Sequence, residues 1–225
     1  MRKTRNTAPP PYSSQYSFYV ASILNYDFEG MEKRLAALLP NKLYKASLII
    51  TEIGELFELA LRAKDKGPEL FDEINFLEET SDVLFYLAVA DKGLGLRGGL
   101  LKPPRGNAHA ARPQKLAHDE FLVSLLWHSA KMASLAARFL DKVLKKHVEF
   151  AKDYDRDELI ALLRGVSAEV DFLLAEGGYT MEDAMRANYE KLIVRFPAGY
   201  SPANASEHNR AAEHAVLEER LKRVK

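Results

Sequence analysis

The chain has 225 residues, 47% hydrophobic and 28% charged, a balance that excludes wholesale disorder and allows a sizeable core. Its 32 basic residues offset 32 acidic ones, which removes the global positive field of a dedicated nucleic-acid binder. There is no cysteine, so disulfides, thiolate metal sites and cysteine nucleophiles are excluded together.

Residues 1–17 are polar and carry Pro9, Pro10 and Pro11, which reads as a flexible arm. They are basic but lack the apolar stretch of a signal peptide. No apolar run approaches the roughly 20 residues needed to cross a bilayer, so the expectation is a cytoplasmic protein with no membrane partner. A first helical half spans 18–96. Its opening segment, up to Pro40, predicts one or two short helices. From Asn41 to about Lys66 the spacing of Leu48, Ile49, Ile53, Leu56, Leu59 and Ala60 predicts one amphipathic helix, stopped by Gly67-Pro68. A second helix is expected from about Glu69 to Lys92, ending at Gly93 and Gly95. Its middle, VLFYLAVA, is apolar all round, as in a helix buried in a bundle.

Residues 97–116 hold three glycines and three prolines and read as a linker. The second half, 117–202, predicts a long helix from Ala117 to about Lys152, with a break near His147, and another from Asp157 to Glu176 stopped by Gly177-Gly178. Thr180 then reads as an N-cap, with Asp183 three positions on, for a helix to about Arg195 ended by Phe196-Pro197. The tail, 203–225, is charged and alanine-rich and reads as a solvated helix with a possible role in assembly. No segment alternates as a strand does. The expected fold is all-α.

The two halves look related, which predicts an internal duplication. In the second copy Leu162 and Gly165 stand roughly where Glu79 and Asp82 stand in the first. One live site and one degenerate site follow.

The chemical signal is a pair of acidic motifs, Glu52-x-x-Glu55 and Glu79-x-x-Asp82. Residues three apart on a helix share a face, so each motif presents two carboxylates to one side. Such motifs also arise on solvated faces; placement distinguishes these. Glu52 interrupts the row Ile49, Leu56, Leu59, and Asp82 immediately precedes the buried run. Antiparallel helices would bring the four acids together at a desolvation and repulsion cost of several kcal/mol. A hard divalent cation relieves that cost, and an all-oxygen donor set suits Mg²⁺ or Mn²⁺. Glu58 and Glu78 extend the same faces. A second stripe, Asn188, Lys191 and Arg195, offers an amide and two cations to one anionic ligand. Taken alone it better fits an ordinary basic helix end favoured by the macrodipole. The aromatic residues Tyr86, Trp127 and Tyr200 are expected to pack rather than to stack on a base.

TEIGELFELALRAK followed by LEETSDVLFYL, together with the closing stretch ANYEKLIVRFPAGYS, resembles the MazG-like all-α nucleotide pyrophosphohydrolases over roughly 41–96 and 117–202. The resemblance implies a helical bundle that hydrolyses nucleoside triphosphates to the monophosphate and pyrophosphate. It further implies Mg²⁺ (or Mn²⁺) held by Glu52, Glu55, Glu79 and Asp82, with phosphates held by Lys64, Asn188, Lys191 and Arg195. Here the acids lie in one half and the closing segment in the other. That arrangement resembles a fused pseudo-dimer, as in the related dimeric dUTPases, and a homodimer is the expected assembly. Whether Asn188 and Lys191 complete the site of their own chain or of a partner is left open by the sequence.

The expected chemistry is attack of water on the α-phosphorus, with Glu52 or Glu55 as general base and Lys191 and Arg195 steadying the leaving group. Three alternatives stay open. One is a dUTPase-type or phosphoribosyl-ATP-type hydrolase, and another a nucleotide-binding regulatory protein with little turnover. The third, a di-iron bundle, needs Glu-x-x-His, and none of the six histidines has a glutamate three residues before it.

Overall fold

A computed structural model describes residues 28–38, 42–67, 71–102, 116–197 and 209–224. The helices are α1 (Phe28–Leu38), α2 (Lys42–Ala46), α3 (Ile49–Lys66), α4 (Glu73–Leu94), α5 (His118–Leu140), α6 (Arg156–Gly177), α7 (Met181–Arg195) and α8 (Arg210–Val224), with a π-helical segment, Asp141–Glu149, continuing α5. Among the described residues there is no strand, and the chain is all-α as expected. None of these helices is long and apolar enough to cross a membrane. The N-terminal arm, residues 103–115 of the linker and the tip of the closing segment, including Tyr200, lie outside the described residues.

The helix expected from Asn41 to Lys66 is divided. Ser47 turns its hydroxyl onto the Tyr44 carbonyl at 2.5 Å, and its N–H is shared between Leu43 and Tyr44, so α2 ends and α3 starts afresh at Ile49. A serine that hydrogen-bonds the preceding turn competes with the helical ladder. α3 buries Ile49, Ile53, Leu56, Leu59, Ala60 and Ala63 along one face. α4 starts at Asp72, whose carboxylate accepts from the N–H groups of Ile74 and Asn75. As the VLFYLAVA run predicts, none of its residues is exposed.

The long helix expected to reach Lys152 keeps its α register only to Leu140. Beyond it, Val143 and Val148 are both buried, and their five-residue spacing matches the wider π-turn. The Arg34 guanidinium donates to the Val148 carbonyl at 2.6 Å and ties α1 to this segment.

α4 and α6 are each 22 residues long and carry matching ends. Asp72 and Asp155 cap the two N-termini through the same pair of backbone N–H groups, and Gly95 and Gly178 cap the C-termini in the left-handed region. Both caps thus recur at one spacing, and that spacing sets Leu162 against Glu79 and Gly165 against Asp82. Leu162 is buried, and Leu135 Cδ1 lies 2.8 Å from the place a Cβ on Gly165 would take. The position equivalent to the acidic wall is therefore filled with packed hydrocarbon.

One continuous core joins the halves. Phe76 of α4 is fully buried and meets Phe121 of α5 edge to face at 5.2 Å, while Phe71 approaches both rings. The start of the expected linker also belongs to this structure. Asp91, buried, accepts from the N–H groups of Gly98 (2.7 Å) and Leu100 (2.8 Å), and Ser167 donates to the Leu100 carbonyl at 2.6 Å. Trp127 departs from its expectation: it is 62% exposed, with Lys131 lying over its ring.

The C-terminal tail is not a solvated helix. α8 packs on α7 and α4, and buries Leu217 and Leu221. Its inward stripe runs Arg210, Glu213, His214, Leu217, Leu221, which is helical spacing that begins polar and finishes apolar. Truncating the fully buried Leu217 to alanine is expected to cost about 2–5 kcal/mol of stability in urea unfolding. A helix free in solvent would lose only a few tenths.

Candidate metal centre

α3 and α4 run back to back and place Glu52 and Glu55 opposite Glu78, Glu79 and Asp82. Glu79 is buried, Glu52 half-buried and Glu55 exposed. One carboxylate oxygen from each of Glu52, Glu55 and Glu79 lies within 4.8 Å of the other two, so these three can hold a metal ion. They line a cleft of about 370 Å³. Past Glu55, Asn75 and Glu79 a second cavity of about 400 Å³ reaches Leu59 and Arg62.

The electrostatics fit a cation. Burial, and then the neighbouring charges of Glu55, Asp82, Glu78 and Glu52, push the Glu79 carboxyl up to about 9. Glu52 is also raised, chiefly by burial, although the Thr51 hydroxyl at 2.9 Å opposes the shift. These carboxyls resist ionisation where they stand, and a hard cation would supply the missing counter-charge through oxygen ligands alone.

Asp82, the fourth expected ligand, is engaged differently. The Lys191 ammonium contacts both of its oxygens, at 2.7 and 2.6 Å, and the Asn188 amide donates to one of them at 2.6 Å. Lys191 is completely buried and also reaches Glu78 at 3.3 Å. Asn188 and Lys191 of the expected phosphate stripe therefore contact Asp82 of the second acidic motif within one chain.

Arg195 is held by Glu213 of α8, its Nε lying 3.0 and 2.9 Å from the two carboxylate oxygens. It still lines the cleft. Lys64 stands apart: it is exposed near the far end of α3 and lines neither cavity. Helical geometry turns it about 180° from Glu55, nine positions earlier. Glu58 is exposed and pairs with Arg62 at 2.8 Å.

Arg195, expected from the sequence as a phosphate ligand, lines the same cleft as the acids; Arg210, Glu213 and His214 of α8 and Asn75 at the start of α4 line it too, and these four were missed by reasoning from sequence. Comparison of the chain with models of known protein families, with curated proteins and with solved structures finds no match. What the site can do is decided by its own geometry.

The raised carboxyl makes stability depend on pH in a definite sense. With its folded-state value near 9 against an ordinary 4.5, Glu79 favours the folded metal-free protein below about pH 4.5, and this contribution drains away as pH rises towards 9. In EDTA, thermal denaturation should show wild type losing stability relative to Glu79→Gln between pH 6 and 8.5. Because a proton leaves as a cation binds, apparent Mg²⁺ affinity should rise by up to about tenfold per pH unit over that range, read by calorimetry. A flat profile in both measurements would remove Glu79 from the metal centre.

Proposed function

We propose that the protein is a Mg²⁺-dependent nucleoside triphosphate pyrophosphohydrolase, releasing the monophosphate and pyrophosphate. The observation that carries this reading is the convergence of Glu52, Glu55 and Glu79 at one end of a cleft whose facing wall carries arginines. A metal-bound polyphosphate needs that polarity, with carboxylates for the cation and fixed cations for the phosphate oxygens. The motif order, with two acidic pairs and a closing ANYEKLIVRFPAGYS, resembles that of the MazG-like hydrolases and supports the same reaction class. The apolar filling at Leu135, Leu162 and Gly165 supports a fused pseudo-dimer with one degenerate repeat.

In this reading Glu52, Glu55 and Glu79 hold the cation, with Asp82 behind them. The bound cation would supply Lewis acidity at the phosphoryl oxygens and ease deprotonation of the attacking water. That water's oxygen bonds to the α-phosphorus, the bond from phosphorus to the bridging oxygen breaks, and pyrophosphate leaves with that oxygen. Glu55, exposed at the mouth of the cleft, or Glu52 beside it takes the proton. Lys191 keeps Asp82 and Glu78 from adding uncompensated charge, which makes it a positioning residue. Arg195, fixed by Glu213, faces the leaving group.

The test is incubation with Mg²⁺ and each common NTP and dNTP, with the products resolved chromatographically. Monophosphate and pyrophosphate in equal amounts are expected from at least one substrate. Glu79→Gln should lower kcat by about 100-fold or more, since losing even a partner behind a metal ligand costs about 10–100-fold. Tight nucleotide binding without turnover would point instead to a regulatory nucleotide-binding protein, and full activity in Glu79→Gln would sink the metal assignment.

A further inference from the structure

The acidic wall of the cleft accounts for a cation, but a polyphosphate carries more negative charge than one divalent ion offsets. Lys191 and Asn188 do not supply the balance. Lys191 is wholly buried with its ammonium on Asp82 and Glu78, and Asn188 spends its amide on Asp82; neither lines the cleft. We infer that the C-terminal helix α8 is the phosphate-binding wall, with Arg210 and His214, beside Arg195, taking the oxygens of a metal-bound polyphosphate chain.

This inference rests on the hydrolase reading and adds to it the residues that meet the phosphates. The inward stripe of α8 changes character where the cleft begins. Its second half carries Leu217 and Leu221, buried against the bundle, and its first half carries Arg210, Glu213 and His214, which line the cleft. Two contacts fix the helix in place, and the second ends on a residue that is itself held. Glu213, itself buried, grips Arg195; Arg220 reaches Asp183 at 3.1 Å; and Asp183 is locked in the capping box with Thr180. The cations on this wall are thereby carried on a docked element, so less ordering entropy is lost when a ligand binds. Arg210 supplies a planar fork suited to phosphate oxygens, and His214, one turn on, lies on the same face. Glu213 subtracts from this charge, but its two oxygens are occupied by Arg195.

Inorganic tripolyphosphate, which has the charge of the substrate chain and no base or sugar, is the probe. Its binding to the full-length protein with saturating Mg²⁺ is measured by calorimetry. Arg210→Ala and His214→Gln should each weaken binding, Arg210→Ala by at least tenfold, and Arg210→Lys should recover part of the loss. Arg223→Ala, the same loss of charge at the other end of α8, should leave binding unchanged. Both cleft positions are exposed, so the helix keeps its core contacts in either variant, and the circular dichroism melt of each verifies this. Arg210→Ala and His214→Gln that bind like Arg223→Ala, in a protein that still hydrolyses a nucleoside triphosphate, overturn the inference and leave the hydrolase reading standing. A wild-type protein that neither binds tripolyphosphate nor turns over any triphosphate overturns both.

Discussion

The contact between Lys191 and Asp82 holds the arrangement together. A lysine removed wholly from water needs its charge answered at close range, and Asp82 answers it through both oxygens. The pair joins the last helix of the second half to the acidic helix of the first, across more than a hundred residues of chain. α8 in turn packs on α7 and α4 and buries Leu217 and Leu221 there. The cleft then follows as the space between α8 and the carboxylates of α3 and α4.

The same contact divides the acids by role. Asp82 is neutralised from within the protein, whereas among the described residues Glu52, Glu55 and Glu79, which lie within ligand distance of one another, are in no ion pair. Burial and mutual repulsion raise Glu79 steeply, so a divalent ion binding there would have to displace its proton. In the second half, Leu135 lies across Gly165 and Leu162 is buried in place of a carboxylate, so no comparable demand for charge arises there.

Much of the fold was legible because it is set by local chemistry. Period-3.6 apolar spacing marked α3 and α6, and an all-apolar run marked α4; Thr180 with Asp183 marked the start of α7; and Gly95 and Gly178 marked two ends because their left-handed backbone costs glycine little. The misses also have local causes. Ser47 diverts the ladder between α2 and α3 through one hydroxyl, and the π-segment answers to the five-residue spacing of Val143 and Val148, which a search for α-helical period does not register. The tail was read as solvated because its overall composition is charged, although the stripe ending in Leu217 and Leu221 was there to be seen.

The sequence by itself determined that the chain is helical and that Glu52, Glu55, Glu79 and Asp82 come in pairs on helix faces, because both follow from spacing along one element. It could not determine which acids face one another without a counter-charge. That depends on where Lys191 arrives, a consequence of how α4 and α7 pack. Nor could it place Arg210 and His214 across from the carboxylates, because opposition across a cleft is a property of two elements distant in the chain. Spacing fixes what shares a face; only packing decides what each face meets.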